Sequence, residues 1–229
     1  MTMKNGSGWL LPSLAGAMMI GALYLVFLWV PTERSMGIVQ RIFYFHMPPF
    51  LVAVVAILLG MGAAIRYLMT KDLRFDEVAV ACIEVGLVFD TMNLLTGPFW
   101  ARPVWGIWWT WDARLTSAFV LWLMFVGYLI LRQAIDEPHM RAAASAVVTV
   151  FQAVGAVIVY MANRLWRTQH PQPVIAGGEG SGLASPMWVA LLGSLAAMLV
   201  VFACLVQVRR RLERLRRETE GLRREVHAL

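Results

Sequence analysis

Six long apolar runs, separated by short polar connections, set the rhythm of the chain. They lie near residues 9–30, 47–69, 78–97, 114–132, 142–163 and 186–208. A helix needs about 20 residues to cross a ~30 Å hydrocarbon layer, and each run is long enough. The pattern predicts an all-α integral membrane protein: a bundle of six transmembrane helices with a Trp-rich loop between the third and fourth. The first run follows a short polar N-terminus without a small-residue cleavage site, which predicts a retained span. Residues 1–208 then form a six-span membrane domain and residues 209–229 a basic helical tail.

Composition agrees, with 59% hydrophobic and 15% charged residues among 229. The net charge of +6 suggests nucleic acid until its distribution is counted. Fourteen Lys and Arg, eight of them in the tail, fall on one side of the predicted bundle, and six on the other. The positive-inside rule puts both termini in the cytoplasm and the Trp loop outside, and it removes the case for nucleic acid. Cys82 and Cys204 fall toward the cytoplasmic side. There is no CxxC for thiol-disulfide chemistry and no CxxCH for covalent haem attachment. The glycine-rich stretch 177–182 lacks the Lys-Ser/Thr of a phosphate loop, so it reads as a linker and any nucleotide energy must come from a partner.

Candidate chemistry is concentrated at 97–117, GPFWARPVWGIWWTWDARLTS, where Trp100, Trp105, Trp108, Trp109 and Trp111 make up half of the chain's ten tryptophans. Trp105, Trp108, Trp109 and Asp112 fall at i, i+3, i+4 and i+7, so a helical conformation gives one face three indoles and a carboxylate. Gly97 and Pro98 are expected to stop the preceding span. Asp112 is expected to N-cap the next helix, from Ala113. An aromatic belt would spread such residues over all helix ends. Their concentration beside Arg102 and Arg114 points instead to a platform for a large, flat, apolar ligand with an anionic edge.

His46 precedes Pro48 and Pro49, which suit a first helical turn and place the start of span two just after it. A histidine there feels the positive end of the helix dipole, which favours neutral imidazole, the metal-binding form. His170 lies in the last external connection, whereas His139 and His227 fall on the cytoplasmic side. Span three carries Glu84, Asp90 and Asn93. Gly86, Asp90, Asn93 and Gly97 share a stripe whose polar members are expected to anchor the external loop by hydrogen bonds. The tail places Leu212, Leu215, Thr219, Leu222, Val226 and Leu229 at 3-4-3-4-3 spacing. Its charge favours a polybasic helix along anionic headgroups, with a partner coiled coil as the alternative.

Two imidazoles can be axial ligands of one haem if their nitrogens approach within roughly 4 Å, twice a metal–nitrogen bond of about 2 Å. Indoles can cover the ring, and guanidinium groups can pair with its propionates. The segment from Trp105 to Ser117, WGIWWTWDARLTS, resembles the WWD signature of the haem-handling family of cytochrome c maturation. The chain length, the six spans and one histidine on each side of the signature are most similar to the cytochrome c maturation protein C branch, over about residues 9–208. The resemblance implies non-covalent haem b at the periplasmic surface of the bacterial inner membrane. There the WWD loop holds the ring, and His46 and His170 are axial ligands. It further implies transfer to a periplasmic haem chaperone, with lyase-like assistance to covalent attachment as the enzymatic reading. An ABC-type ATPase with its membrane subunits and a small single-span protein complete the implied partners. The alternatives are a b-type cytochrome subunit, which would place histidine pairs within helices, and a small-molecule permease, which would need broken helices at mid-depth.

Overall fold

The computed structural model describes residues 9–168, 170 and 182–227. Six helices are long and apolar enough to cross a membrane, and no strand accompanies them among the described residues. They are α1 Leu10–Tyr24, α2 Phe43–Thr70, α3 Leu73–Trp105, α4 Ala113–Ala134, α5 Pro138–Leu165 and α6 Ser185–His227. A π-helical turn, Leu25–Trp29, ends α1, and a 3₁₀ turn, Ile38–Ile42, feeds α2. Arg41 Nη1 donates to Phe27 O at 3.0 Å, tying these two irregular turns together. The glycine-rich stretch 177–182 lies outside the described residues except for Gly182, as does Leu229.

The most buried helices are α2 and α3, which approach closely because small residues face each other. A Cβ on Gly60 would meet Ile83 Cδ1 at 2.9 Å, and one on Gly86 would meet Ala56 Cβ at 2.8 Å. The main core joins Phe50 and Ile57 of α2, Val80 and Ile83 of α3, Leu121 and Phe125 of α4, and Val159 of α5. Leu28, Leu58, Val88, Val120 and Phe151 point outward, about half to three-quarters exposed, on a bundle whose surroundings are lipid.

Three expectations are corrected. Gly97 and Pro98 do not end span three: α3 runs through Pro98 and Pro103 to Trp105. Each proline removes one backbone donor, which membrane helices tolerate. Gly97 lies inside the helix and faces His46 of α2, a Cβ there meeting His46 Cε1 at 3.4 Å. The helix stops at Gly106, whose φ of 76° is left-handed and whose N–H bonds Arg102 O at 3.0 Å. Trp105, Trp108, Trp109 and Asp112 therefore do not share one helical face, since only Trp105 is helical. Finally, α2 begins at Phe43, upstream of the expected start, because the 3₁₀ turn already sets its direction; His46 stands inside the first turn and not on a loop.

Where α3, α4 and α5 meet at the end opposite the Trp loop, buried charges are paired. Arg132 grips Asp76 with two bonds of 2.7 and 2.9 Å and reaches Glu213 at 3.3 Å. Glu84, on α3, pairs with Arg209 of α6. Arg217 reaches Glu77 at 2.6 Å, and Arg141 reaches Glu220 at 3.3 Å. The expected tail is thus a direct continuation of α6, which runs to His227.

Candidate functional site

At the other end a half-open cleft lies between α2, α3, α4, α5 and the 106–112 loop. Its wall is mostly apolar, with Phe50, Trp100, Trp108, Trp109 and Val159 among its lining. His46 and His170 both line it, one from the first turn of α2 and the other from the segment after α5.

His46 is held by three residues of α3. Asn93 Nδ2 donates to the His46 carbonyl at 2.9 Å, and the Trp100 ring meets the imidazole edge-on at 5.7 Å. Thr96 Oγ1 lies 3.0 Å from His46 Nδ1 and donates its own proton to Met92 O at 2.7 Å. A hydroxyl has one proton, so toward Nδ1 it accepts. With the hydroxyl proton on Met92 O, the ring proton sits on Nδ1 and Nε2 is the nitrogen left for a metal. The Asn93 amide, 3.3 Å from Nδ1 and 3.4 Å from Nε2, is nearly equidistant from both and does not select between them. His170 is placed by Thr168, whose hydroxyl accepts from the His170 N–H at 3.1 Å, and by the buried Asn163, whose Nδ2 lies 3.4 Å from His170 Nδ1. Each imidazole is thus flanked by an asparagine amide from a membrane helix.

The tryptophans form two groups. Trp100, buried, and Trp105 close the end of α3 with their rings 6.4 Å apart. Trp108 and Trp109 stand on the loop, braced by Phe99 at 6.0 Å and Phe119 at 6.4 Å. Trp111 also braces on Phe119 but is 71% exposed and lies outside the cleft wall. The loop is pinned by Asp112, which caps α4 by accepting from the N–H groups of Arg114 and Leu115 at 2.9 and 3.0 Å, and takes the Thr110 hydroxyl at 2.9 Å. Burial pushes its carboxyl up, but the Leu115 N–H and the Thr110 and Thr168 hydroxyls outweigh that and hold it below the usual carboxylate range. Its acceptor capacity is spent on the loop, which makes it a positioning group.

The two arginines separate. Arg102 is exposed, bonds Gly106 O and lies over the Trp108 ring at 6.0 Å, outside the cleft wall. Arg114 is buried in the wall; Nη1 donates to Val159 O at 3.0 Å and the guanidinium lies over Phe50. Among the described residues no carboxylate pairs with it. The indole nitrogens of Trp100 and Trp109 are also buried without a partner among those residues. A half-open apolar cleft that holds a buried cation and two idle N–H donors suits a planar ligand with acidic substituents. Phe50, Thr96 and Phe119 carried no signal in the sequence, although Thr96 lies one turn beyond Asn93 on the polar stripe.

A family model described as Heme exporter protein C matches residues 2–225. The chain is 32% identical over 175 residues to Heme exporter protein C of Bradyrhizobium diazoefficiens, covering 76% of this chain and 66% of that protein. It is 29% identical over 209 residues to Heme exporter protein C of Rhodobacter capsulatus, covering 90% and 86%. Heme exporter protein C of Escherichia coli is 32% identical over 168 residues, 71% of this chain and 68% of that protein.

Proposed function

Because the chain belongs to the heme exporter protein C family, we propose that it holds haem in the cleft and hands it on during cytochrome c maturation. The observation that carries this reading is the convergence of His46 and His170, from separate elements, on one cleft that also contains Arg114. In this reading haem b is cargo, bound without a covalent link. Nε2 of His46 and a ring nitrogen of His170 take the two axial positions of its iron. Thr96 keeps the first nitrogen available. Trp100, Trp105, Trp108 and Trp109 cover the ring, and Arg114 pairs with a propionate. Trp111 and Arg102 act one step back, supporting Trp109 and Trp108.

The cleft faces the periplasm and the tail the cytoplasm, supported by the excess of Lys and Arg on the tail side. The acceptor is a periplasmic haem chaperone. Haem held by α2 on one side and by a loop on the other can present its edge in a fixed direction and still be released, so orientation contributes to the transfer rate. An ATPase complex and a small single-span protein are the further partners that the resemblance implies.

Purification of the full chain with haem, followed by incubation with the apo-chaperone, tests the reading. The double variant Trp108→Ala/Trp109→Ala is expected to elute normally on fluorescence size-exclusion and to lose most haem and chaperone loading. Wild-type haem content and loading in that variant would contradict it.

A further inference from the structure

The distal part of α6 carries two faces with opposite fates. Arg209, Glu213, Arg217 and Glu220 turn toward the bundle, where they pair with Glu84, Arg132, Glu77 and Arg141. About 135° around the same helix, at 100° per residue, lies a second row. Leu205, Val208, Leu212, Leu215, Leu222 and Val226 are 41–68% exposed, and Thr219, in line with them, is exposed too. The row repeats at 3-4-3-4-3-4 over three heptads. It begins where the span leaves the hydrocarbon and runs ~30 Å beyond.

Beyond residue 208 lipid does not cover it. A helix lies along headgroups only if it bends at the membrane edge, and α6 is continuous from Ser185 to His227. The ion pairs hold it upright against α3, α4 and α5 as far as Glu220. From Leu212 on, beyond the apolar run that ends near 208, the row therefore points away from the bundle and into water.

We propose that this seam pairs with the same seam of a second copy of the chain, as a parallel two-stranded coiled coil. Every copy enters the membrane in one orientation, so the helices meet parallel and in register. In that register Leu205, Leu212, Thr219 and Val226 occupy the a positions, and Val208, Leu215 and Leu222 the d positions. In the distal half, leucine at d (Leu215, Leu222) with β-branched residues at a (Thr219, Val226) is the combination that favours two strands. Glu218 then falls at g and Arg223 at the facing e′ position, twice per dimer, so the charges are self-complementary. Arg211 would face Arg216 of the second copy, but Arg216 is already paired with Glu220 at 2.9 Å.

The test uses the full chain in native membranes, with Cys82 and Cys204 replaced by Ala and single cysteines introduced. Leu215→Cys and Leu222→Cys should give oxidised dimers of twice the chain mass, whereas Arg214→Cys, exposed but off the seam, should not. Glu218→Arg or Arg223→Glu should lower dimer yield about fivefold, and the double reversal should restore it. Membrane insertion of each variant is checked by its yield in the membrane fraction. Equal crosslinking at all three positions, or none at the seam, would overturn the proposal. A seam crosslink of a different mass would assign the surface to another helical protein, and indifference to charge reversal would overturn the register.

Discussion

Arg114 and Arg132 are almost equally buried, 9% and 7% exposed, at opposite ends of α4, yet they live in contrary surroundings. Arg132 is gripped by Asp76 and Glu213 and also donates to Ser145 at 3.3 Å. Arg114 has one carbonyl and an aromatic face. A buried guanidinium carries five donors and a charge, and leaving it unanswered costs several kcal/mol unless an anion arrives. One end of the molecule has closed its electrostatics within itself. The other has left them open around a cleft.

The largest expected effect comes from breaking the closed end. Arg132→Met strands Asp76 and leaves Glu213 with Arg209 alone, and should destabilise the bundle by about 3–5 kcal/mol. Arg114→Met should leave thermal stability unchanged or slightly raised. Thermal unfolding in one detergent compares the two, and equal losses would erase the distinction between the ends.

The ligand side of the comparison is sharpened by Arg114→Gln. It should weaken haem retention about tenfold to a hundredfold, the value of charge-assisted hydrogen bonds of roughly 1.5–3 kcal/mol. Arg102→Gln, on an exposed residue, should change retention far less. Dilution-driven haem loss read by absorbance checks both.

Next in size is Thr96→Val, which keeps the shape but removes the acceptor at His46 Nδ1. Haem affinity should fall about tenfold, the lower end of the range for such supporting bonds. Thr96→Ser should restore it. A shifted haem reduction potential in Thr96→Val, absent in Thr96→Ser, would separate this role from simple packing.

The smallest effect belongs to Asp112. Asp112→Ala should loosen the loop by about 1 kcal/mol. The folded carboxyl titrates below its unfolded value, so its contribution is complete above the unfolded value and is lost as pH falls through the folded one. Protection from hydrogen exchange across 106–112, relative to the intrinsic rate at each pH, should therefore be constant through neutral and mildly acid pH and fall only below the usual carboxylate range. A loss of protection beginning near neutrality would rule out the cap as its cause.

The six spans were legible because apolar runs of this length have one physical solution in a bilayer. Asn93 was legible as a polar group of span three that anchors by hydrogen bonds, although its partner, His46, was not. Local propensity misplaced the end of α3: Gly97-Pro98 reads as a stop, but a membrane helix tolerates the donor that proline removes and α3 runs on to Trp105. The Trp shelf was seen as a cluster and drawn with the wrong geometry for the same reason, since Gly106 breaks the helix in the middle of the pattern. Arg102 and Arg114 looked alike in sequence. Helix phase separates them, putting one on the outer side of the last turn of α3 and the other on the inner side of the first turn of α4. Thr96 gave no signal because its role is defined only by the imidazole beside it.

The central claim is that His46 and His170 share one iron, and a single absorption and electron-paramagnetic-resonance series on haem-loaded protein tests it. The wild type should show low-spin bis-histidine haem. His46→Ala and His170→Ala should each open one axial position and turn high-spin, while the indoles still retain part of the haem, and added imidazole should restore the low-spin spectrum in both. An unchanged spectrum in either single variant would remove that histidine from the iron and contradict the account.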